Sequence, residues 1–160
     1  MHSAALDWVA AHAPEGALSV VDIGGRDING NPEHLFDEAC AWEVVDLFDG
    51  PRVSHVGDVL EYRPKRLVDV VLCLEVAEHA EGWRDIVAHA SSMLKKRGTL
   101  ILTAAGPSRD PHSAVDGGAL PPGEFYKNID PAELAKVLRK SFRQVDVDEL
   151  GDDVRAVATR

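Results

Sequence analysis

Four short apolar runs limit the fold of this chain more than any other feature of its sequence. Each run has the length of a β-strand, and its apolar residues are almost continuous instead of alternating with polar ones. A strand buried on both faces has this composition, and such strands occur in parallel sheets that carry helices on both sides. The runs are Leu18–Ile23 (LSVVDI), Trp42–Leu47 (WEVVDL), Leu67–Leu74 (LVDVVLCL) and Thr99–Thr103 (TLILT).

Helical patterns alternate with these strands. The clearest is Gly82–Arg97, which has one apolar stripe and is followed by Gly98 at the position where a glycine commonly ends a helix. Asp130 is predicted to cap a further helix that opens with a proline. Two shorter helices are predicted over residues 3–13 and over Asn31–Cys40.

Three weaker strands complete the pattern. Val53–Val56 follows the second strand after only a few residues, so the connection between them is predicted to be a turn without a helix. Val145–Asp148 and Val154–Ala158 lie close enough to form an antiparallel hairpin. Alternating strands and helices predict a mostly parallel sheet. Because the chain has 160 residues and no internal break in composition, we expect one domain over residues 1–160.

Composition excludes several classes of function. The net charge is −10, and the basic clusters Lys95–Arg97 and Arg139–Lys140 fall where predicted helices end and complement the helix dipole. Nucleic acid is therefore not expected as a partner. No apolar run approaches the roughly 18 residues that span a bilayer, and no signal peptide is evident. Cys40 and Cys73 are expected to be reduced thiols, so we predict a cytoplasmic protein without a membrane partner.

Polar residues follow the ends of the predicted strands, where open parallel sheets bind their ligands. Asp22 precedes the glycine turn Gly24–Gly25, Asp46 ends the second strand, Asp58 follows the third, and Glu75 follows the fourth. Glycines allow the backbone to approach a ligand closely, and an acid at the second strand end accepts hydrogen bonds from ribose hydroxyls. The strand ends therefore predict a nucleoside site.

The glycine spacing distinguishes two cofactors. Dinucleotide sites use G-x-G-x-x-G to rest a pyrophosphate on a helix N-terminus, whereas the glycines here are Gly24, Gly25 and Gly30. An acid such as Asp22 is also poorly placed beside a pyrophosphate. S-adenosylmethionine (SAM) has no phosphate and carries two positive groups, which suit an acidic strand end.

On these motifs the chain resembles the class I SAM-dependent methyltransferases, especially the small type-11-like group. The resemblance covers about residues 17–104 by motif, including Leu74-Glu75-Val76-Ala77-Glu78-His79, and the remainder by element order. It implies a doubly wound α/β fold, the Rossmann-like methyltransferase fold, with a mostly parallel seven-stranded sheet and a C-terminal antiparallel hairpin. It also implies SAM as the cofactor.

The resemblance assigns a role to each strand end. The methionine part of SAM would lie against the first loop, the ribose on Asp46 beside Leu47, and the adenine amino group on Asp58 beside Val59. Glu75 would present its backbone to the cofactor. The implied cofactor-binding residues are Asp22, Gly24, Gly25, Arg26, Asn29, Asp46, Leu47, Asp58, Val59, Leu74 and Glu75.

The reaction is less defined than the cofactor. His79 is a candidate general base, with Glu78 and Tyr126 as weaker candidates, although positioning alone can supply most of the acceleration of a methyl transfer. Trp83 is expected to lie in the core. No histidine or cysteine spacing indicates a metal site, and none is predicted. Residues 105–128 read as a long irregular loop that, with the N-terminal helix, would recognise the acceptor.

Three functions remain open from the sequence. The first is methyl transfer from SAM to an oxygen, nitrogen or carbon atom of a small or medium acceptor. The second is a non-catalytic module of the same fold that binds SAM or a nucleoside. The third is a nicotinamide-dependent oxidoreductase, which the glycine spacing and the lack of a Tyr-x-x-x-Lys pair disfavour.

Overall fold

A computed structural model describes residues 3–28 and 30–160 of the chain. Strands and helices alternate along most of it, as the apolar runs predict, and two strands in succession end the chain. The helices are α1 (Ser3–His12), α2 (Trp83–Met93) and α3 (Pro131–Leu138). The strands are β1 (Ser19–Ile23), β2 (Ala41–Asp46), β3 (His55–Val56), β4 (Val68–Leu74), β5 (Leu94–Ala105), β6 (Gln144–Leu150) and β7 (Asp153–Thr159).

The strands form a single seven-stranded sheet with the order β3-β2-β1-β4-β5-β7-β6. The pairs among β1 to β5 are parallel, whereas β7 runs antiparallel to both β5 and β6. The chain order reverses between β1 and β4, which is the position where open α/β sheets bind ligands. The predicted seven-stranded α/β fold with a C-terminal hairpin is therefore confirmed.

Apolar side chains cover both faces of the sheet. On one face Trp8 and Val9 of α1 pack with Val20, Leu72 and Ile101. The opposite face is covered by α2 and α3, whose buried side chains are Trp83, Val87, Ala90, Met93, Leu134, Val137 and Leu138. Helices on both faces make the sheet doubly wound. None of the helices in residues 3–28 and 30–160 has the length and apolar character needed to cross a membrane.

The sequence-encoded start of α3 is present as predicted. The Asp130 side chain accepts a hydrogen bond from the backbone N–H of Glu133 at 2.8 Å, and Pro131 is the first helical residue. This cap satisfies one of the N–H groups that have no partner within the helix. The helix then packs beside β6 and delimits the C-terminal side of the sheet.

The predicted helix over Asn31–Cys40 is wrong, because only the 3-10 turn Glu33–Leu35 forms there. The Asn31 side chain accepts a hydrogen bond from Glu33 N at 3.1 Å, and Asp37 accepts one from Ala39 N at 2.8 Å. These side chains satisfy the backbone locally and compete with a helix. The connection from β1 to β2 is consequently a loop.

The end of the helix predicted over Gly82–Arg97 is also wrong. The helix stops at Met93, and residues 94–97 belong to β5, which begins at Leu94 beside Val68. Gly98 accordingly lies within β5 and does not follow a helix. Lys95 forms an ion pair with Asp69 at 2.8 Å, so its cluster does not complement a helix dipole.

Both cysteines are free, as the sequence predicts. Cys73 is buried in β4, and Cys40 lies before β2, where its thiol donates to the Gly16 carbonyl at 3.4 Å. The two thiols lie on different parts of the sheet, one within β4 and the other at the start of β2. Cys73 is therefore a structural residue of the sheet, and Cys40 is a structural residue of the connection between β1 and β2.

Candidate functional site

Three neighbouring cavities open at the carboxyl ends of the parallel strands. The smallest has a volume of about 120 Å³ and lies against the loop after β1. The second, of about 480 Å³, lies beyond β2 and β3, and the third, of about 800 Å³, lies under the loop of residues 109–119. Glu75 lines all three, so the cavities form one cleft around the end of β4.

The glycine turn after β1 is packed too closely for any side chain. Gly24 has φ +73°, and a Cβ on it would lie 2.4 Å from Val76 Cγ2. A Cβ on Gly25 would lie 2.3 Å from Asp22 Oδ2. Glycine is therefore required at both positions, and the turn brings the ends of β1 and β4 together.

Asp22 is the most perturbed acid of the cofactor side. Its side chain is 3% exposed and lines the smallest cavity. Burial raises the pKa of its carboxyl to about 7, although the nearby Arg52 guanidinium opposes that rise. A cation bound in this cavity would favour the ionised carboxylate, which makes Asp22 suited to a positively charged ligand.

Asp46 lies at the rim of the second cavity, at the end of β2. Its Oδ1 accepts a hydrogen bond from Phe48 N at 2.9 Å, and Arg26 Nε lies 4.0 Å from the same oxygen. The Arg26 guanidinium also stacks over the Phe48 ring at 5.2 Å. One carboxylate oxygen thus holds the local turn, while the side chain still borders the cleft.

The second cavity has an apolar lining and an acid at its rim. Leu47 is 64% exposed, whereas Val59 is buried on the opposite side. Asp58 accepts a hydrogen bond from Leu60 N at 2.8 Å and is exposed at the rim. The two-residue strand β3 pairs with Val45 and Asp46, so it carries Asp58 to the same edge as Asp46.

The structure brings together nearly all of the predicted cofactor-binding residues. Asp22, Gly24, Gly25, Arg26, Leu74 and Glu75 line the smallest cavity, and Asp46, Leu47, Asp58 and Val59 line the second. Asn29 lies outside the described residues. Trp83, expected in the core, is buried there at 2% exposure.

His79 borders both the second and the third cavity. Its ring contacts His112 at 4.9 Å and Tyr126 at 5.4 Å, and these two rings lie 5.1 Å apart. Burial, together with His112, lowers the pKa of His79 to about 4, so its imidazole is neutral near pH 7. Burial, together with Glu78, raises the pKa of Tyr126 to about 12.

Glu78 is fully buried beneath this cluster of rings. Its Oε1 accepts a hydrogen bond from Ala105 N at 3.1 Å, and its backbone carbonyl accepts one from Lys127 N at 2.8 Å. Burial, together with Glu75, raises the pKa of the Glu78 carboxyl to about 8. Glu78 therefore ties the end of β4 to the end of β5 and to the long loop.

The chain resembles methyltransferases in both sequence and structure. The ubiquinone biosynthesis O-methyltransferase of Burkholderia pseudomallei is 28% identical over 167 residues, which cover 88% of this chain and 70% of that protein. The 1,6-didemethyltoxoflavin N1-methyltransferase of Burkholderia thailandensis, solved with S-adenosylhomocysteine, has a TM-score of 0.72 at 18% identity, covering 99% of this chain and 77% of that one. A SAM-dependent methyltransferase of Archaeoglobus fulgidus has a TM-score of 0.70 at 16% identity, covering 97% and 92%. No protein-family model matches the chain.

These similarities agree with the sheet order, the glycine turn and the acids at the strand ends. The chain is thus similar to SAM-dependent methyltransferases in sequence and in fold. The predicted fold is confirmed, and the predicted enzyme class and cofactor agree with these similarities.

Within this methyltransferase fold, the acceptor side departs from the prediction in one respect. The described residues of α1 line none of the three cavities, because α1 packs across the sheet, where Trp8 Nε1 donates to Ala156 O at 3.4 Å. The predicted contribution of the N-terminal helix to the acceptor site is therefore wrong for these cavities. The irregular loop lines the largest of them.

Sequence reasoning missed two residues of the cleft. Arg109 Nη1 lies 3.5 Å from Glu75 Oε2 and forms an ion pair with Asp153, so it links the loop to β4 and β7. His112 joins the rings around His79. Neither residue has a periodic or motif signal, because both belong to the irregular loop, and the only available clue was their proximity to Gly and Pro residues.

Proposed function

We propose that this methyltransferase binds SAM in the first two cavities and transfers its methyl group to a small or medium acceptor in the third. The observation that supports this proposal is the continuity of the cleft around Glu75. Asp22 and Asp46 lie on either side of it, as a ligand with a positive amino acid part and an uncharged ribose requires. The second and third cavities have volumes in the range of about 300–1,000 Å³ that is typical of small-molecule sites, and the smallest adjoins them.

In this proposal the methionine part of SAM lies in the smallest cavity. Its ammonium group is close to Asp22, and the backbone of Gly24 and Gly25 forms the floor. Arg26 borders this space, and the role predicted for Asn29 is part of the same proposal. Because a bound ammonium group stabilises the ionised form of a buried acid, binding also releases the proton that Asp22 holds near neutral pH.

The nucleoside lies in the second cavity. Asp46 accepts the two ribose hydroxyls, and its contact with Arg26, at 4.0 Å, is long enough to be replaced by them. Leu47 and Val59 enclose the adenine, and Asp58 accepts a hydrogen bond from its amino group. Each of these side chains already lines that cavity.

The acceptor lies in the third cavity, under the loop. The similar proteins include one named for O-methylation and one named for N1-methylation of a small heterocycle. We propose a planar acceptor of that size that is methylated on oxygen or nitrogen, with carbon as the remaining alternative. His79 borders both the cofactor and the acceptor cavities, so its position makes it the first candidate to take the acceptor proton, and its pKa of about 4 makes it a weak base. Tyr126 is a weaker candidate because it stays protonated, and Glu78 because it is fully buried.

Calorimetry tests the cofactor assignment. Wild-type protein should bind SAM and S-adenosylhomocysteine but not NAD. Asp46→Ala should weaken SAM binding about 30-fold, or about 2 kcal/mol, because it leaves the ribose hydroxyls without acceptors. Asp49→Ala is the matched control, since Asp49 is an exposed acid of the same loop whose carboxylate accepts a hydrogen bond from its neighbour Gly50 N at 2.9 Å. Equal affinity in a folded Asp46→Ala protein would contradict the ribose assignment.

Turnover distinguishes an enzyme from a binding module. The protein is incubated with SAM and, one at a time, with catechols, phenols and aromatic amines, and formation of S-adenosylhomocysteine is measured together with the methylated product. We expect product with at least one acceptor class. Tight SAM binding without product across the panel would favour the non-catalytic module.

A further inference from the structure

Two buried polar atoms beneath the acceptor cavity have no hydrogen-bond partner within the described part of the chain. They are Glu78 Oε2 and His79 Nδ1. The other carboxylate oxygen of Glu78 is used, because it accepts from Ala105 N at 3.1 Å. Leaving a buried carboxylate oxygen and a ring nitrogen without partners costs free energy, so their arrangement calls for a ligand that both can bind.

His112, which lines the same cavity, completes the group. Its ring lies 4.9 Å from the ring of His79 at an angle of 83°. One potential ligand atom from each of Glu78, His79 and His112 lies within 4.8 Å of those of the other two. Glu78 and His79 are neighbours in sequence after β4, whereas His112 belongs to the irregular loop and is brought to them by the fold.

Both parts of this group are held by the fold. Glu78 is anchored through its side chain to Ala105 N and through its carbonyl to Lys127 N. The loop around His112 forms a bridge to Ala119, and the buried hydroxyl of Ser113 donates to Glu124 Oε2 at 2.9 Å. The three ligand atoms therefore face each other because of tertiary structure, and their approach is not an accident of exposed side chains.

We propose that Glu78, His79 and His112 bind one divalent transition-metal ion of the Zn²⁺ class. Two imidazole nitrogens and one carboxylate oxygen are ligands that Zn²⁺ accepts, whereas Mg²⁺ and Ca²⁺ prefer sites made of oxygen atoms. Ligands of one Zn²⁺ ion lie about 2.0–2.2 Å from it, so the group must contract by roughly 1 Å on binding. His112 provides this movement, because it lies in the loop and not in the sheet.

The remaining coordination position of the ion would face the acceptor. His79 and His112 both line the third cavity, whereas Glu78 lies beneath it. Three protein ligands and one open position are characteristic of catalytic zinc sites. A metal ion there would bind an acceptor oxygen and lower the pKa of its hydroxyl, so that the proton would pass to water while His79 serves as a ligand instead of as the base. The oxygen would then form a bond to the methyl carbon of SAM as the bond from that carbon to the SAM sulfur breaks, and S-adenosylhomocysteine would leave. This catalytic consequence rests on the proposed function, whereas metal binding itself does not.

The test uses the full chain without a histidine tag, after removal of metal by a chelator. Zn²⁺ is titrated in a calorimeter, and Co²⁺ is followed by its visible absorption, which reports coordination geometry. We expect one ion per chain. His112→Ala should weaken Zn²⁺ binding at least tenfold and abolish the Co²⁺ spectrum, and Glu78→Gln should also weaken binding. His34→Ala is the control, because His34 is an exposed histidine of the 3-10 turn whose ring contacts Asn31 O at 3.1 Å.

Binding by wild-type and His34→Ala protein, together with weaker binding by His112→Ala, supports the site. Absence of saturable Zn²⁺ binding, or equal binding by His112→Ala, overturns it. If Glu78→Gln does not fold, His112→Ala decides alone, because it changes only a loop residue. SAM titrations in the presence of the chelator separate the two proposals: SAM binding without Zn²⁺ binding rejects the metal site and keeps the cofactor site, and the reverse result rejects the cofactor site.

Discussion

The cofactor side and the acceptor side of the cleft are built in different ways. On the cofactor side, the sheet register sets the positions of the acids: Asp22 lies opposite Val44 and Leu72, and Asp46 lies opposite Val56. The acceptor side is an irregular loop that has one isolated bridge and is held by separate backbone and side-chain hydrogen bonds. The backbone hydrogen bonds between paired strands thus fix the positions of the cofactor-side residues together. On the acceptor side, the position of each residue depends on its own local hydrogen bonds.

The largest expected effect is the pH dependence of SAM binding through Asp22. Burial raises the pKa of this carboxyl to about 7, so it holds a proton below that pH in the free protein. A bound ammonium group favours the ionised form. SAM affinity should therefore rise about tenfold per pH unit up to about pH 7 and then level off. In Asp22→Asn this rise should be absent.

Calorimetry at pH 5, 6, 7 and 8, in buffers with different ionisation enthalpies, measures both the affinity and the proton that is released. Asp27→Asn is a control, since Asp27 also lines the smallest cavity but is partly exposed. A flat wild-type profile, without proton release at pH 6, would show that SAM does not contact the Asp22 carboxylate.

The next largest expected effect is a difference in stability between alanine variants at two glycines, both of which have a left-handed backbone conformation. Gly24 has φ +73° on the cofactor side, and Gly123 has φ +90° on the acceptor side. Alanine strains the backbone at both, by about 1 kcal/mol. Only at Gly24 does the new Cβ meet another side chain, Val76, so Gly24→Ala should lower the free energy of unfolding by about 1–3 kcal/mol more than Gly123→Ala.

Denaturant unfolding of the two variants measures this difference, and SAM titration shows whether the turn has moved. We expect weaker SAM binding in Gly24→Ala alone. Equal losses of stability would mean that Val76 gives way freely and that the glycine turn is not closely packed against the end of β4.

The same contrast explains which features could be predicted from the sequence. Asp22, Gly24 and Asp46 were predictable because continuous apolar runs mark buried parallel strands, and the residues that follow such strands meet at one edge. The cap at Asp130 was predictable because capping acts over only a few residues. These signals are local, and the tertiary structure agrees with them.

Where tertiary contacts override local pattern, the sequence was insufficient. Leu94 continues the apolar helical stripe, but this segment belongs to β5, where Leu94 pairs with Val68 and Arg97 N donates to Arg160 O at 3.1 Å. The position of Arg109 depends on ion pairs with Glu75 and with Asp153, 44 residues away. Neither the strand pairing at the start of β5 nor the ion pairs of Arg109 produce a periodic pattern in the neighbouring sequence.

The smallest expected effect concerns a single side chain that closes the acceptor loop. The Asn128 amide donates to Gly106 O and to Arg109 O, the latter at 2.8 Å, so it joins the two ends of the loop. Asn128→Ala removes both bonds and should favour local opening by about 1 kcal/mol. Amides of residues 107–127 should then exchange with deuterium about five times faster, while SAM affinity stays unchanged.

Lys127→Ala is the matched control, because Lys127 is the exposed neighbour and its only hydrogen bond within the described residues comes from its backbone, which alanine keeps. If the cofactor side and the acceptor side are separate, Asn128→Ala should change the rate of amide hydrogen exchange in the loop without changing SAM affinity. If Asn128→Ala weakens SAM binding as much as it accelerates exchange, the loop belongs to the cofactor site as well. The two sides of the cleft would then be one cooperative unit, since opening the loop would expose the shared wall at Glu75 and His79.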